Sequence, residues 1–275
     1  MTLSGCASGP YHHQSDRADS KGIDDFFAGE GCAIGPTTRH AALAEGFQES
    51  DIDALVSAAK LDEQTVVTGE WVVLPPDMCT IRLPSPLGAL ALSDPEVMAA
   101  TSSTSAYYNS GTYRNTEDLG CFLSSPKLHD SLRQSRGWDD HTISIEYTRM
   151  LGRAIAQGNA AFYSDSPLRT PPGYQILKGN CANVPAMPEI RESNAFLRDH
   201  FDGLVRALGQ SLACDSDVNL IMTYNENVAG TLQENTPFNA WRGLEIMTVA
   251  MGAGWYENMS ATAPGAPRPP LCHYP

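Results

Sequence analysis

Residues 46–74 read GFQESDIDALVSAAKLDEQTVVTGEWVVL, and this stretch passes from a helical pattern to a strand pattern. Residues 51–60 predict a helix with Ser50 as its N-cap, because apolar side chains recur there at the spacing of one helical face. Residues 65–74 are β-branched and apolar and precede two prolines, which predicts a buried strand. The apolar face of the predicted helix consists of Ile52, Leu55, Val56 and Ala59.

The same order of elements recurs 149 residues further along the chain, and the two stretches align without a gap. Residues 31–110 then correspond to residues 180–259, and the strand at 70–74 falls on residues 219–223. The matches cluster on the predicted elements, which favours a duplication over two unrelated helix–strand segments. Identical pairs include Cys32 with Cys181, Phe47 with Phe196, Leu55 with Leu204, Val56 with Val205 and Met98 with Met247.

This internal match predicts an α+β fold made of two tandem pseudo-symmetric α/β repeats that share a core and are stapled by disulfides. Each copy alone has too few strands to bury a sheet, so the two copies are expected to pack together. The predicted organisation is a flexible tether at residues 1–22, a first repeat at 23–138, a connecting helix at 139–160, and a second repeat with a proline-rich tail at 161–275.

Further elements follow from apolar spacing in the middle and second half of the chain. The connecting helix is expected to begin at a cap supplied by Asp139 or Asp140. Residues 193–212 predict another helix, residues 218–224 (VNLIMTY) predict the second strand, and residues 238–256 predict a helix despite their glycines.

The chain is strongly acidic, with 32 acidic and 18 basic residues and a net charge of -14. This charge would repel a phosphate backbone, so nucleic acid is not expected as a partner. No run of 18 apolar residues occurs, so the sequence predicts no transmembrane helix.

Seven cysteines are scattered along the chain, without the close spacing that a zinc site needs. Spread cysteines in an acidic chain are typical of an exported protein whose disulfides form in an oxidising compartment. The odd count leaves one thiol over, and six cysteines allow 15 pairings. Because Cys32 and Cys181 are equivalent in the repeat, the favoured pairing is Cys32–Cys79, Cys181–Cys214 and Cys121–Cys272.

Cys6 is the cysteine expected to remain outside this set. The residues LSGC at positions 3–6 resemble a bacterial lipobox, in which the cysteine becomes the acylated N-terminus. This resemblance implies a lipid anchor, and Ala7 resembles the pattern that sorts such proteins to the outer membrane. A longer precursor is then expected, because the charged and apolar regions of an export signal do not fit before Cys6. The alternative is a stray exposed cysteine near a ragged terminus.

Catalytic motifs are weak or absent. The sequence contains no G-x-S-x-G, HExxH, P-loop or G-x-G-x-x-G motif. Ser124 and Lys127 match S-x-x-K, but the partner motifs of that enzyme class are missing. No cofactor and no metal site are predicted.

One carboxylate pair is matched by the repeat, since Asp77 corresponds to Glu226 just beyond each predicted strand. Two carboxylates near a pseudo-two-fold axis could act as acid and base in glycan cleavage, and the alternative is two solvated loop acids. A ligand groove is also expected between the two halves, because pockets favour such interfaces. The matched residues that could line it are Tyr107, Asn109, Tyr256 and Asn258.

Two classes of function therefore remain. The first is an exported, lipid-anchored bacterial envelope protein with a binding or scaffolding role, whose partner is an envelope protein or a glycan. The second is an envelope hydrolase acting on glycan or peptidoglycan through the carboxylate pair.

Overall fold

A computed structural model describes residues 16–102, 122–163, 173–179, 187–216, 220–229 and 241–275. These residues form a mixed helix and sheet structure, which confirms the α+β class. The helices are α1 (Asp16–Gly29), α2 (Pro36–Ala44), α3 (Glu49–Ala59), α4 (Pro95–Ala100), α5 (Ser125–Arg136), α6 (Asp140–Ala156), α7 (Met187–Asp199), α8 (Phe201–Ser211), α9 (Leu220–Thr223) and α10 (Arg242–Gly252). The strands are β1 (Ala33–Ile34), β2 (Val66–Thr68), β3 (Trp71–Val73), β4 (Thr101–Ser102), β5 (Phe122–Leu123), β6 (Ala160–Tyr163), β7 (Gly173–Ile176), β8 (Tyr256–Glu257) and β9 (Ala266–Pro267).

Helix α3 forms as its apolar spacing predicts. Ile52, Val56 and Ala59 are buried on one face, and the exposed face carries the charged residues. The helix begins after Gln48, so the prediction of Ser50 as the N-cap was wrong. The connecting helix α6 begins at Asp139, whose carboxylate accepts a hydrogen bond from the Thr142 backbone at 2.7 Å, as predicted.

The stretch predicted as one buried strand at residues 65–74 is a hairpin of β2 and β3. The chain turns at Gly69, whose φ of 57° is readily adopted by glycine, and Thr68 faces Trp71 across the turn. β3 also pairs with β1, so the sheet has the antiparallel order β1-β3-β2 with β2 at an edge. β3 is buried, whereas the valines of β2 remain exposed.

The predicted second strand at residues 218–224 is wrong within its described part. Residues 220–223 form α9, and the helix continues as a π-helical segment, Tyr224–Val228. Leu220, Tyr224 and Val228 are buried at a spacing of four, which is a helical period, while Met222 is 56% exposed. The equivalence of this segment with β3 therefore fails, and the tandem repeat is not confirmed.

Residues 193–212 were predicted as one helix and form parts of two. α7 ends at Asp199 and α8 starts at Phe201, because His200 leaves the helical region with φ -116° and ψ 15°. α10 occupies the described core of the helix predicted at 238–256.

A second antiparallel sheet has the order β4-β5-β7-β6, and β8 pairs with β9 in a separate ribbon. Beside the four-stranded sheet, α6 packs closely on α10, because glycines lie where the two backbones meet. A Cβ on Gly252 would lie 2.9 Å from the Thr148 carbonyl, and one on Gly152 would lie 3.1 Å from the Thr248 carbonyl. No described helix is both long enough and apolar enough to cross a bilayer.

The largest hydrophobic cluster joins the two ends of the chain. It combines side chains of residues 23–81 with side chains of residues 197–272, and α6 contributes Ala154 and Ile155. A second cluster lies between α4, α5 and α6, to which α6 contributes Ile143, Met150 and Leu151. Because α6 belongs to both clusters, it connects them.

The proline-rich C-terminal segment, residues 266–275, is largely buried against the first half of the chain. Arg268 is 2% exposed, lies between the rings of Trp71 and Trp255, and pairs with Glu30 at 2.6 Å. Burial raises the pKa of Glu30 and lowers that of Arg268 to about 10, although the two groups attract each other. The Tyr274 backbone donates to the Thr68 hydroxyl at 2.5 Å.

Two disulfides lie within the described residues. Cys32–Cys79 is present as predicted, with a Cα–Cα distance of 5.8 Å. Cys214 bonds to Cys272 instead, so the predicted pairs Cys181–Cys214 and Cys121–Cys272 were both wrong. The reason is that His273 forms a parallel bridge with Ala213, which brings the C-terminal segment to the end of α8. Cys121 and Cys181 lie outside the described residues.

Candidate functional site

A cavity of about 550 Å³, here called the tail groove, lies between the β2–β3 hairpin, α8 and residues 270–274. The hairpin belongs to the first half of the chain, and the other two walls belong to the second half. Its size is in the range of ordinary small-ligand sites. The tail groove therefore occupies a boundary between distant parts of the sequence.

The C-terminal wall of the tail groove depends on a glycine of α8. A Cβ on Gly209 would lie 2.2 Å from the Pro270 carbonyl, so only glycine permits this approach. The Gly209 carbonyl accepts a hydrogen bond from His273 Nδ1 at 2.8 Å. The His273 backbone also pairs with Leu212 and Cys214, and the Cys214–Cys272 disulfide closes the same contact.

Polar groups on the other walls are held in fixed positions. Arg206 donates to the carbonyls of Leu74 at 2.9 Å and Cys79 at 2.7 Å, and it pairs with Asp202 at 3.0 Å. Because a carbonyl only accepts, His273 Nδ1 is the donor in its contact with the Gly209 carbonyl. The arrangement offers hydrogen-bonding groups beside the edge strand.

A second cavity of about 660 Å³, here called the loop pocket, lies between residues 88–93, α4, α6 and residues 176–179. Its deepest lining side chains are Leu90, Met150 and Ala154, which are at most 3% exposed. Met98 lies at its edge and is 58% exposed. The loop pocket is thus an aliphatic cavity that is open to solvent at one side.

The loop wall is fixed by side chains that bind its backbone. Glu146 accepts from the Ala89 backbone at 2.5 Å, and Asp94 accepts from the Ala91 backbone at 3.1 Å. Arg153 donates to the Leu90 carbonyl and, at 3.4 Å, to the Gly88 carbonyl. Residues 88–93 have no regular secondary structure of their own, so these contacts satisfy backbone groups that a helix or sheet would otherwise pair.

The charges at the loop pocket are positive. Arg153 and Lys178 line it, and no described carboxylate lies within 4.0 Å of either group. The carboxylates that bind the loop are already paired: Glu146 with Arg149 at 2.8 Å and Asp94 with Arg136 at 2.8 Å. Two cations that no described carboxylate pairs with are notable in a chain of net charge -14.

The carboxylate pair expected to act in hydrolysis does not line either cavity. Asp77 is exposed in the turn that follows β3, and Glu226 is exposed in the π-helical segment. Ser124 of the S-x-x-K match is the residue before α5 and is 6% exposed. Asp77 is thus a surface acid in a turn, Glu226 is a surface acid on a helical segment, and Ser124 stands at the N-cap position of α5.

The residues expected to line a groove are only partly described. Tyr256 belongs to β8 and is 8% exposed, and burial raises its pKa. Asn258 follows it with φ 58° and is exposed. Neither residue lines a described cavity, and Tyr107, Asn109 and Cys6 lie outside the described residues.

The residues that form the two cavities were missed by the sequence analysis. The loop at 88–93 reads GALALS and shows neither a helical nor a strand period, so it gave no signal of its own. The only usable signal for the tail groove was the combination of Cys272, His273 and Tyr274 at the end of the chain, a polar and aromatic cluster after a proline run.

Comparison with protein-family models, curated proteins and solved structures finds no match for this chain. Within the described residues, no three His, Cys, Asp or Glu side chains are grouped so that they could hold a metal ion.

Proposed function

We propose that this chain is an exported, lipid-anchored bacterial envelope protein with a binding role, attached to the outer membrane through Cys6. In this proposal the tail groove holds the partner, which is an extended segment of another envelope protein. The chain between Cys6 and α1 gives the folded body its distance from the membrane, since α1 begins at Asp16, inside the tether predicted at residues 1–22.

The observation that carries the proposal is the Cys214–Cys272 disulfide in the wall of the tail groove. Disulfides persist in oxidising compartments and are rare in the cytosol. This bond ties Cys272 to the end of α8 and so, together with the hydrogen bonds of His273, fixes the C-terminal wall of the groove. A site built in this way suits a protein that works after export.

The choice of an extended polypeptide as partner rests on β2. This strand lies at the edge of its sheet, and its valines are unusually exposed, with Val66 at 42% and Val67 at 60%. An exposed apolar edge is a template for an added strand. The groove beside it supplies Arg206 and His273 for the partner's polar groups.

The hydrolase alternative stays a prediction. Asp77 and Glu226 are exposed, and neither lines a cavity, so no described contact favours it.

One experiment tests both parts of the proposal. The full gene is expressed in a bacterium with lipoprotein-processing enzymes, and a photo-crosslinking amino acid replaces Val67. The matched control carries the same amino acid at Leu61, which is 89% exposed and lies outside the groove.

The expected results are a mature chain that begins at an acylated Cys6, shown by mass spectrometry, and release from the membrane in Cys6→Ser. A discrete envelope-protein adduct is expected at position 67 and not at position 61. Unmodified Cys6 in membrane-extracted protein would contradict the anchor, and equal adducts at both positions would contradict the binding role.

A further inference from the structure

We propose that the loop pocket binds a single-chain anionic amphiphile, namely a free acyl chain with a carboxylate head. This inference does not depend on the proposed function, because it concerns a different cavity and needs neither the anchor nor the tail groove.

The apolar part of the ligand is inferred from the side chains of the pocket. Its apolar side chains are aliphatic or thioether groups, its neutral polar side chains are Ser93, Thr101, Gln157 and Asn159, and no aromatic side chain of the described residues lines the cavity. Sugars and planar ligands are usually held on aromatic faces, whereas flexible Leu and Met surfaces adapt to an alkyl chain. The apolar lining consists mainly of Leu90, Leu92, Met98, Met150, Ala154 and Ile176.

The charge of the head group is inferred from Arg153 and Lys178. The guanidinium of Arg153 donates hydrogen bonds to loop carbonyls. Carbonyls are neutral acceptors, so the positive charge of Arg153 is not compensated by them. Lys178 is exposed and lines the same cavity. A carboxylate at this position would meet two cations, while an ammonium head would meet like charge.

The walls of the pocket are held by contacts within the protein. Its loop wall is held by Glu146, Asp94 and Arg153, and its floor is buried core of α6. A preformed site avoids the cost of ordering a loop on binding, so a small ligand can bind with useful affinity.

The experiment titrates the purified oxidised protein with three 12-carbon ligands by isothermal calorimetry, at concentrations where each ligand is monomeric. The ligands are dodecanoate, dodecanol and dodecylammonium. The expected order of affinity is dodecanoate, then dodecanol, then dodecylammonium. Equal affinity for dodecanoate and dodecanol would overturn the assignment of the head group, and failure of all three to bind would overturn the site.

Two substitutions locate the ligand. Lys178→Ala is expected to weaken dodecanoate about fivefold and to leave dodecanol unchanged, since it removes one partly solvated charge. Met98→Glu places a carboxylate at the edge and is expected to weaken dodecanoate by at least about fivefold. Met222→Glu is the matched control, since Met222 is 56% exposed and lies outside the pocket.

Equal effects of Met98→Glu and Met222→Glu on dodecanoate binding would place the ligand elsewhere. A last arm uses phosphatidylglycerol vesicles, which carry anionic heads on a bilayer. Binding to these vesicles in preference to monomeric dodecanoate would assign the surface to a membrane and overturn the proposal.

Discussion

Arg136 pairs with two carboxylates at the start of α4, and this cluster is the most strongly perturbed carboxylate site in the described residues. It donates to Glu96 at 3.0 Å and to Asp94 at 2.8 Å, and it also stacks on Trp138. Hydrogen bonds from Arg136, from the Glu96 backbone and from Ser135 lower the pKa of Glu96 to about 2. Since Asp94 also holds the loop wall, the cluster connects α5 to the loop pocket.

Glu96→Gln is expected to lower stability at neutral pH and to weaken the acid dependence of unfolding. The folded-state pKa of Glu96 lies below the ordinary value of 4.5, so its stabilising contribution is present above about pH 4.5 and is lost as the pH falls towards about 2. The measurement is the urea midpoint of both proteins from neutral pH to about pH 2.

The difference in urea midpoint between the wild type and Glu96→Gln should become smaller as the pH falls. Glu63→Gln, at an exposed position, serves as the control and should follow the wild type throughout. A gap of constant size would show that Glu96 acts through packing and not through its charge.

At this scale the sequence predicted some local contacts and not others. Asp139 was predicted as a cap because an acid precedes a clear apolar period, and it caps α6. Ser50 was predicted as the cap of α3 because it precedes an apolar period, but the helix begins two residues earlier, at Glu49, because Glu49 and Asp51 favour its first turn. The cations of the loop pocket could not be predicted, because Arg153 and Lys178 come together only in three dimensions.

At the scale of elements, the contact of α8 with the C-terminal segment forms the tail groove. Gly209→Ala is expected to lower the free energy of unfolding by about 1–3 kcal/mol, because the new methyl group meets the Pro270 carbonyl and the backbone must move. This change in the free energy of unfolding is measured by guanidinium titration of the oxidised wild type and variant.

The control for Gly209→Ala is Gly22→Ala in α1, where the new methyl group meets only the Phe47 ring at 3.5 Å. That change should stabilise the protein by up to about 1 kcal/mol through helix propensity. If both substitutions had the same effect, the close approach of α8 and the C-terminal segment would not be a source of stability.

Elements with a full helical period were predictable, and short apolar runs were not. α3 and α6 were predicted because their apolar residues repeat over several turns. The segment at 220–224 is too short for its period to separate helix from strand, and it is helical because Leu220, Tyr224 and Val228 contact the core together. The hairpin at Gly69 was signalled by Thr-Gly-Glu between two valine runs, and that signal was overlooked.

At the scale of the whole molecule, the two described disulfides restrict which cysteines can form the third disulfide expected from the sequence. Cys32–Cys79 and Cys214–Cys272 use four cysteines, so the six predicted to be oxidised leave Cys121 and Cys181. A Cys121–Cys181 bond is therefore expected, with Cys6 outside the set. Peptide mapping by mass spectrometry under non-reducing conditions tests it.

The linked peptide should contain both Cys121 and Cys181, and it should disappear on reduction. A bond from Cys6 to either residue, or two free thiols at 121 and 181, would contradict the prediction. The Cys214–Cys272 bond was not predicted, because the sequence analysis assumed two equivalent halves. In the structure the C-terminal segment packs on the end of α8, and this contact brings Cys272 to Cys214.

The burial of the C-terminal segment against the first half of the chain has a consequence for how the protein folds. Thr68 bonds to Tyr274 across 206 residues, and Glu30 pairs with Arg268 across 238 residues. Such distant contacts raise the contact order, and the entropy of closing so long a loop slows folding. A chain that emerges N-terminus first leaves Trp71 and Glu30 uncovered until residues 266–275 follow. The N-terminal part of this core therefore cannot complete its packing until residues 266–275 have been synthesised, and until then its apolar surface can bind chaperones.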